Sequence, residues 1–198
     1  MVRARNFTSL LMVCTMAAAF GAPSPIYSNA RYKFSLTPPA GWIAKSHPEA
    51  VAIFMEPEGE QTPVRLGSES NREFIERVNR KLKETAATGT TFRANLTITA
   101  SKVLPGTTTE QYAKETRGRF EGLKMYRILG EKNMKVDGVP SILRTMRVNL
   151  AEGGSIRTRE VIVVRGDTAL SFALASSPEA FTRRAAEFDK TISTVKWK

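Results

Sequence analysis

Apolar and polar residues alternate clearly in several short runs of this chain. Tyr32, Phe34 and Leu36 alternate with Lys33, Ser35 and Thr37, the pattern of a half-buried strand. Pro38-Pro39 ends it, Gly41 permits a turn, and Trp42 opens the next element. Residues 50–57, AVAIFMEP, read as a second strand. Ser70-Asn71-Arg72-Glu73 forms a capping box. Phe74, Ile75, Val78 and Leu82 follow it at helical spacing, predicting a helix over 71–86 that Gly89 terminates. In residues 92–104, Phe92, Ala94, Leu96 and Ile98 alternate with Arg93, Asn95 and Thr97, a strand closed by Pro105-Gly106. Thr108 with Gln111 starts a second helix whose inner stripe is Tyr112, Thr116, Phe120 and Leu123.

Residues 126–175 are strand-rich. AEGG at 151–154 predicts a hairpin turn. With Glu152-Gly153 as its centre, Val148 faces Arg157 and Arg144 faces Val161. That register puts Arg144, Arg157 and Arg159 on a shared face and Arg147 near Glu160. Arg165-Gly166-Asp167 falls between VIVV and ALSFALA and reads as a charged tight turn. Ser177 and Pro178 begin a last helix whose apolar face is Phe181, Ala185, Phe188 and Ile192, with Arg183 and Arg184 off that face. Val195 and Trp197 close the chain. Hairpin-length links among the strands predict an α+β fold with a central antiparallel sheet flanked by helices.

The first thirty residues follow a different logic. A short basic start (Arg3, Arg5) precedes the apolar run FTSLLMVCTMAAAFGA and the helix-breaking PSPIYSNA, the order of an export signal. Small residues at Ser28 and Ala30 predict cleavage before Arg31, with cleavage after Gly21 as the alternative. The apolar run is shorter than the roughly 20 residues a membrane span needs. Cys14 is the chain's only cysteine, so cleavage leaves a mature chain with no disulfide. An uncleaved N-terminal anchor or lipidation at Cys14 would be routes to membrane attachment, and Val13 before Cys14 departs from the small residue such lipidation signals use. Residues 31–198 then form one domain with a helical insertion near 70–89.

Composition changes this picture in one respect. Hydrophobic residues make up 41% and charged residues 25% of the 198, enough for an ordinary core. The formal net charge is +11, which favours anionic partners. Candidate chemistry is sparse. His47 is the only histidine and lies in a polar loop, so a Ser-His-Asp arrangement has a single candidate base. Dedicated zinc sites draw on several Cys, His or carboxylate ligands. The glutamates of EPEGE at 56–60 lack the spacing of a calcium loop. GTTTEQ lacks the lysine of a phosphate-cradling loop. No catalytic, cofactor or metal residue is assigned. Nucleic acid is a poor match because aromatics do not interleave with the basic elements.

YKFSLTPPAGW, at the start of the predicted domain, resembles the opening of PsbP-like and DcrB-like domains. ANLTITASKVLPGTTTEQYAKE is similar to their central strand, turn and helix. VDGVPSILRTMRV resembles their hairpin start, and RGDTALSFALASSPEAFTRRAAEFDKTISTVKW resembles their closing strand and helix. The resemblance covers most of residues 31–198 and departs at 60–90, where a helix replaces a shorter link. It implies an αβα sandwich. It implies little about activity, since such domains serve as photosystem accessory proteins, envelope lipoproteins and chaperone-like binders. The expectation is an exported, non-enzymatic accessory or binding domain in the periplasm or outer envelope of a bacterium. Its contact surface would be Arg77, Arg80, Lys81, Arg144, Arg157 and Arg159, and its partner a protein or an anionic envelope component. The alternatives are an immunity or inhibitor-like protein and, last, a carboxylate hydrolase.

Overall fold

The computed structural model describes residues 25–57, 80, 92–150 and 154–198. Of the expected 71–86 helix only Arg80 is described, as helical and exposed; the rest lies outside the described residues, as do the export signal and the Glu152-Gly153 turn.

Twelve elements follow in order: β1 (Tyr27–Asn29), β2 (Phe34–Leu36), β3 (Ile43–Lys45), β4 (Ala52–Met55), β5 (Asn95–Lys102), α1 (Thr109–Glu121), β6 (Tyr126–Val136), β7 (Val139–Asn149), β8 (Ser155–Arg165), β9 (Thr168–Ser176), α2 (Phe181–Ser193) and β10 (Lys196–Trp197). Seven strands form an antiparallel sheet in the order β3-β4-β5-β9-β8-β7-β6. A small sheet, β1-β2-β10, stands beside it. The fold is α+β, as the element order predicts.

Local sequence explains the long hairpins. Asp137 and Gly138 both have positive φ (46° and 83°) between paired Val136 and Val139, the backbone of a tight hairpin turn that Asp-Gly favours. Gly166, at φ 60°, opens the two-residue turn between paired Arg165 and Thr168. Thr108 caps α1 through its hydroxyl to the Gln111 N–H (3.1 Å), and the Gln111 side chain returns a bond from the Thr108 N–H (2.8 Å). The last helix starts at Phe181, later than Ser177-Pro178 signals. Residues 178–180 form a turn, with the Ser177 hydroxyl accepting from the Ala180 N–H.

The two faces of the large sheet bury different helices. Ala113 of α1 packs on Ile142 and Ile162. On the other face Phe181, Ala185, Phe188 and Ile192 of α2 join Leu96, Ile98, Val161, Phe172 and Leu174. Residues 161 and 162 are adjacent in one strand and so point to opposite faces. The helices therefore sandwich the sheet. Phe34 and Leu36 of the small sheet enter the α2-side core, Phe34 edge-on to Phe172 at 5.6 Å.

Two expectations need correction. Arg93, just before β5, and Asn95, at its start, are the polar positions of the alternation yet are buried, Arg93 donating to the Glu56 carbonyl and Asn95 accepting from the Thr97 hydroxyl at 3.2 Å. The β7–β8 register is also one residue from the expected one. Asn149 pairs with Ser155, Val148 with Ile156, Arg147 with Arg157 and Arg144 with Glu160. The connection is odd-numbered: Leu150 N–H donates to the Gly154 carbonyl (3.2 Å), and Gly154 takes φ 81°. A one-residue slip exchanges the faces of every side chain on one strand relative to the other.

Candidate anion-binding surface

The corrected register sorts the arginines. Arg144 points to the α1 face and is fully buried, so it is not part of a contact surface. Its Nε donates to Glu131 (2.8 Å), Nη1 to the Thr116 hydroxyl (3.0 Å) and Nη2 to the Ala113 carbonyl (2.5 Å). Its guanidinium also lies over the Phe120 ring at 5.8 Å. Glu160 sits 3.6 Å away and accepts from the Ser171 hydroxyl at 2.6 Å. Burial raises the Glu160 pKa above its ordinary value, against the opposing pull of Ser171 and Arg144. This cluster fastens α1 to the sheet. Arg184, expected off the apolar face of the last helix, is also buried. It pairs with Glu56 and Glu187 and lies over Trp42 at 5.6 Å.

Arg157 and Arg159 occupy the opposite face, beside α2. Arg127 pairs with Arg147, and Arg147 with Arg157, across three adjacent strands. Directly opposed positions share a face, so the three arginines form one row across β6, β7 and β8. With strands about 4.8 Å apart, the row is about 10 Å long. Arg127 and Arg147 are exposed and Arg157 half-buried. Among the described residues no carboxylate pairs with any of the three. Arg157 lies over the Phe181 ring at 5.7 Å.

One step further along the strands stands Arg159, opposite Thr145. It makes a two-pronged bond to Asp189 of α2, each N···O distance 2.7 Å. Next comes Lys132, opposite Leu143. The β6 register shifts between Ile128 and Gly130; this bulge brings Lys132 onto the same face as Arg127, which strict alternation would forbid. A cleft of about 400 Å³ lies here between β6 and α2, with Met134, Leu143 and Ile192 among its apolar lining and Lys132, Arg159 and Asp189 among its charges. α2 packs mainly on β9, shares the core with Val161 and Val163 of β8, and meets the arginines of β8 through Phe181 and Asp189, leaving a ledge of sheet toward β6.

Of the expected surface, Arg157 and Arg159 lie on this ledge, Arg144 is in the core, Arg80 is exposed elsewhere in the chain's order, and Arg77 and Lys81 lie outside the described residues. Arg127 and Lys132 were not anticipated, and Arg147, expected near Glu160, instead lies opposite Arg127 and Arg157 while Glu160 pairs with Arg144. The Asp137-Gly138 turn alone would set Arg127 opposite Val148, on the face away from Arg147; the bulge between Ile128 and Gly130 brings the two arginines opposite each other, and it left no signal in the sequence pattern. His47 is half-buried, its Nδ1 accepting from the Glu49 N–H at 3.2 Å. Among the described residues no cluster of His, Cys, Asp or Glu is arranged to hold a metal ion, and no helix is long and apolar enough to cross a membrane.

No family model matches the chain, and no curated protein matches it by sequence. Solved structures do. The chain is similar to cyanobacterial PsbP (CyanoP) from Synechocystis sp. PCC 6803, with a TM-score of 0.55 at 13% identity over 93% of this chain and 99% of that one. The fold is PsbP-like. A second PsbP-like match is LpqN, involved in cell envelope biogenesis of Mycobacterium tuberculosis, with a TM-score of 0.55 at 9% identity over 89% of this chain and 86% of LpqN. A protein of unknown function from Pseudomonas aeruginosa, PA94, matches with a TM-score of 0.50 at 11% identity over 80% and 99% of the two chains. At these identities the PsbP-like architecture is what the chains share, and the arginine row belongs to this chain's own sequence.

Proposed function

We propose that the chain is an exported, non-enzymatic binding domain of the cell envelope, and that its arginine ledge takes an anionic partner. The row Arg127-Arg147-Arg157 carries this reading. Like charges directly opposed across strands destabilise a sheet, and among the described residues no carboxylate pairs with them. A partner bringing negative charge relieves that repulsion. The envelope setting is supported by the apolar leader in the sequence and by the shared fold with LpqN.

The test compares full-length, C-terminally tagged protein with an Arg147→Glu/Arg157→Glu variant in fractionated cells. Wild-type protein is expected in the envelope fraction, released by salt, with the variant released at lower salt. Identical distribution and identical salt release of the two, with folding verified by circular dichroism, would remove the ledge as a contact surface.

A further inference from the structure

We propose that the ledge binds a phosphate-bearing polymer laid across the strands, with its phosphates seated between neighbouring arginines. The inference rests on the anion-binding reading above and names the chemistry of the partner.

Three features point to phosphate. The row is made of arginine alone, whose planar fork bonds phosphate oxygens two at a time. Neighbouring members stand one strand spacing apart, about 4.8 Å, so one tetrahedral phosphate can accept from two guanidiniums at once. Each internal phosphate of such a polymer keeps one full negative charge and two unshared oxygens, so it can bridge two guanidiniums through separate oxygens. Two phosphates fill the row, and Arg159 and Lys132 extend the positive field along the ledge. Arg159 shares its charge with Asp189, so the main attraction falls on the row, which no carboxylate pairs among the described residues.

The surroundings narrow the class. Single-stranded nucleic acid is held by exposed rings on which its bases stack. The ring against the row is Phe181, only 8% exposed and covered by Arg157. The ledge therefore suits a phosphate backbone without bases. A bilayer surface fits less well, because α2 stands as a further layer along one side of the row, whereas a thin chain can lie against the sheet.

The probe is inorganic polyphosphate, titrated into full-length protein by calorimetry at several salt concentrations. Saturable binding is expected, weakened at least tenfold in Arg127→Gln/Arg147→Gln/Arg157→Gln. The dependence of log Kd on log salt should become shallower by about two for three lost contacts. A control variant, Lys45→Gln/Lys114→Gln/Lys190→Gln, removes the same number of exposed cations elsewhere and should bind as wild type does. Polyglutamate of matched charge and vesicles of phosphatidylglycerol with phosphatidylcholine are the competing ligands. Equal loss in the control variant, or binding of either competitor as tight as polyphosphate, overturns the proposal. If polyphosphate fails to bind while envelope retention still depends on Arg147 and Arg157, the anionic partner stands and its phosphate chemistry falls. If both fail, the ledge is no binding surface.

Discussion

Arg144 and Glu160 face each other across β7 and β8, yet they carry unequal burdens. Arg144 makes hydrogen bonds to Glu131, Thr116 and the Ala113 carbonyl, whereas Glu160 touches it only at 3.6 Å. Breaking a buried pair by removing one partner costs about 3–5 kcal/mol, so Arg144→Ala should destabilise the fold by that order and loosen α1 first. Glu160→Gln should behave differently. Burial raises the folded-state pKa of Glu160 above its ordinary 4.5, so the folded state holds that proton more tightly than the unfolded chain. The resulting stabilisation is complete below the ordinary value and is lost as pH rises through the raised one. Urea unfolding of wild type and Glu160→Gln from about pH 4 to pH 8 should show wild type losing stability relative to the variant as pH rises. Parallel curves would contradict the assignment.

On the proposed export of this chain, Tyr27 sets a limit on where processing could cut without disturbing the fold. Its hydroxyl donates to the Val51 carbonyl at 2.8 Å, and its ring packs on Phe54 at 5.4 Å and Phe34 at 6.0 Å. Cleavage before Arg31 would remove β1 altogether. We expect the mature N-terminus upstream of Tyr27, consistent with cleavage after Gly21, and N-terminal mass spectrometry of secreted protein reads it directly. A chain beginning at Arg31 should be less stable than one beginning at Pro25 by about 3–5 kcal/mol, the order lost when a packed aromatic is deleted. Equal stability of the two truncations would show that β1 is dispensable.

How much of this was legible in the sequence depended on whether a local rule decided the matter. The capping box at Thr108, the Asp137-Gly138 turn and the alternation of Phe34 and Leu36 are short-range, and each appears where the pattern places it. The apolar stripe of α2 was equally plain. What failed was parity over distance. The odd connection after Asn149 moved Arg144 from a shared face with Arg157 into the core, and the bulge at 128–130 brought Lys132 round to Arg127. Neither leaves a mark in hydrophobic periodicity, yet together they determine which cations meet. Burial of Arg93 goes with its bond to the Glu56 carbonyl on a neighbouring segment, a tertiary contact that alternation within one strand cannot hold.

The C-terminus is tied to the β6–β7 turn through Asp137, which accepts from Lys196 Nζ at 2.8 Å and from the Trp197 N–H at 3.0 Å. The Lys196 bond first, then the Trp197 N–H, holds the Asp137 carboxyl below its ordinary 3.8. A depressed folded value means stability that is present above the ordinary pKa and lost as pH falls through the folded one. Asp137→Asn keeps a residue that tolerates the positive φ while deleting the charge. It should fray β10, read as faster amide exchange at Trp197 at neutral pH, and the difference from wild type should shrink at strongly acidic pH. An exchange rate unchanged by the substitution would place the tie elsewhere, for example in the Trp197 Nε1 bond to the Val136 carbonyl.

The arginine row makes a prediction about stability that does not depend on knowing its partner. Arg147 stands between Arg127 and Arg157, opposed to both, so it suffers repulsion from two sides. Replacing it with threonine removes that repulsion and installs a residue that strands favour. Arg147→Thr should therefore raise the unfolding free energy by about 0.2–1 kcal/mol at low salt. The gain should shrink as salt screens the row, since these exposed charges interact through water. Arg157→Thr should gain less, because Arg157 also lies over Phe181 and loses that contact. Urea titrations of the three proteins at low and high salt measure the effect. A row kept for binding leaves the free domain less stable than its simplest neutral variant. Should Arg147→Thr destabilise the protein, or show no salt dependence, the row would be a settled part of the fold.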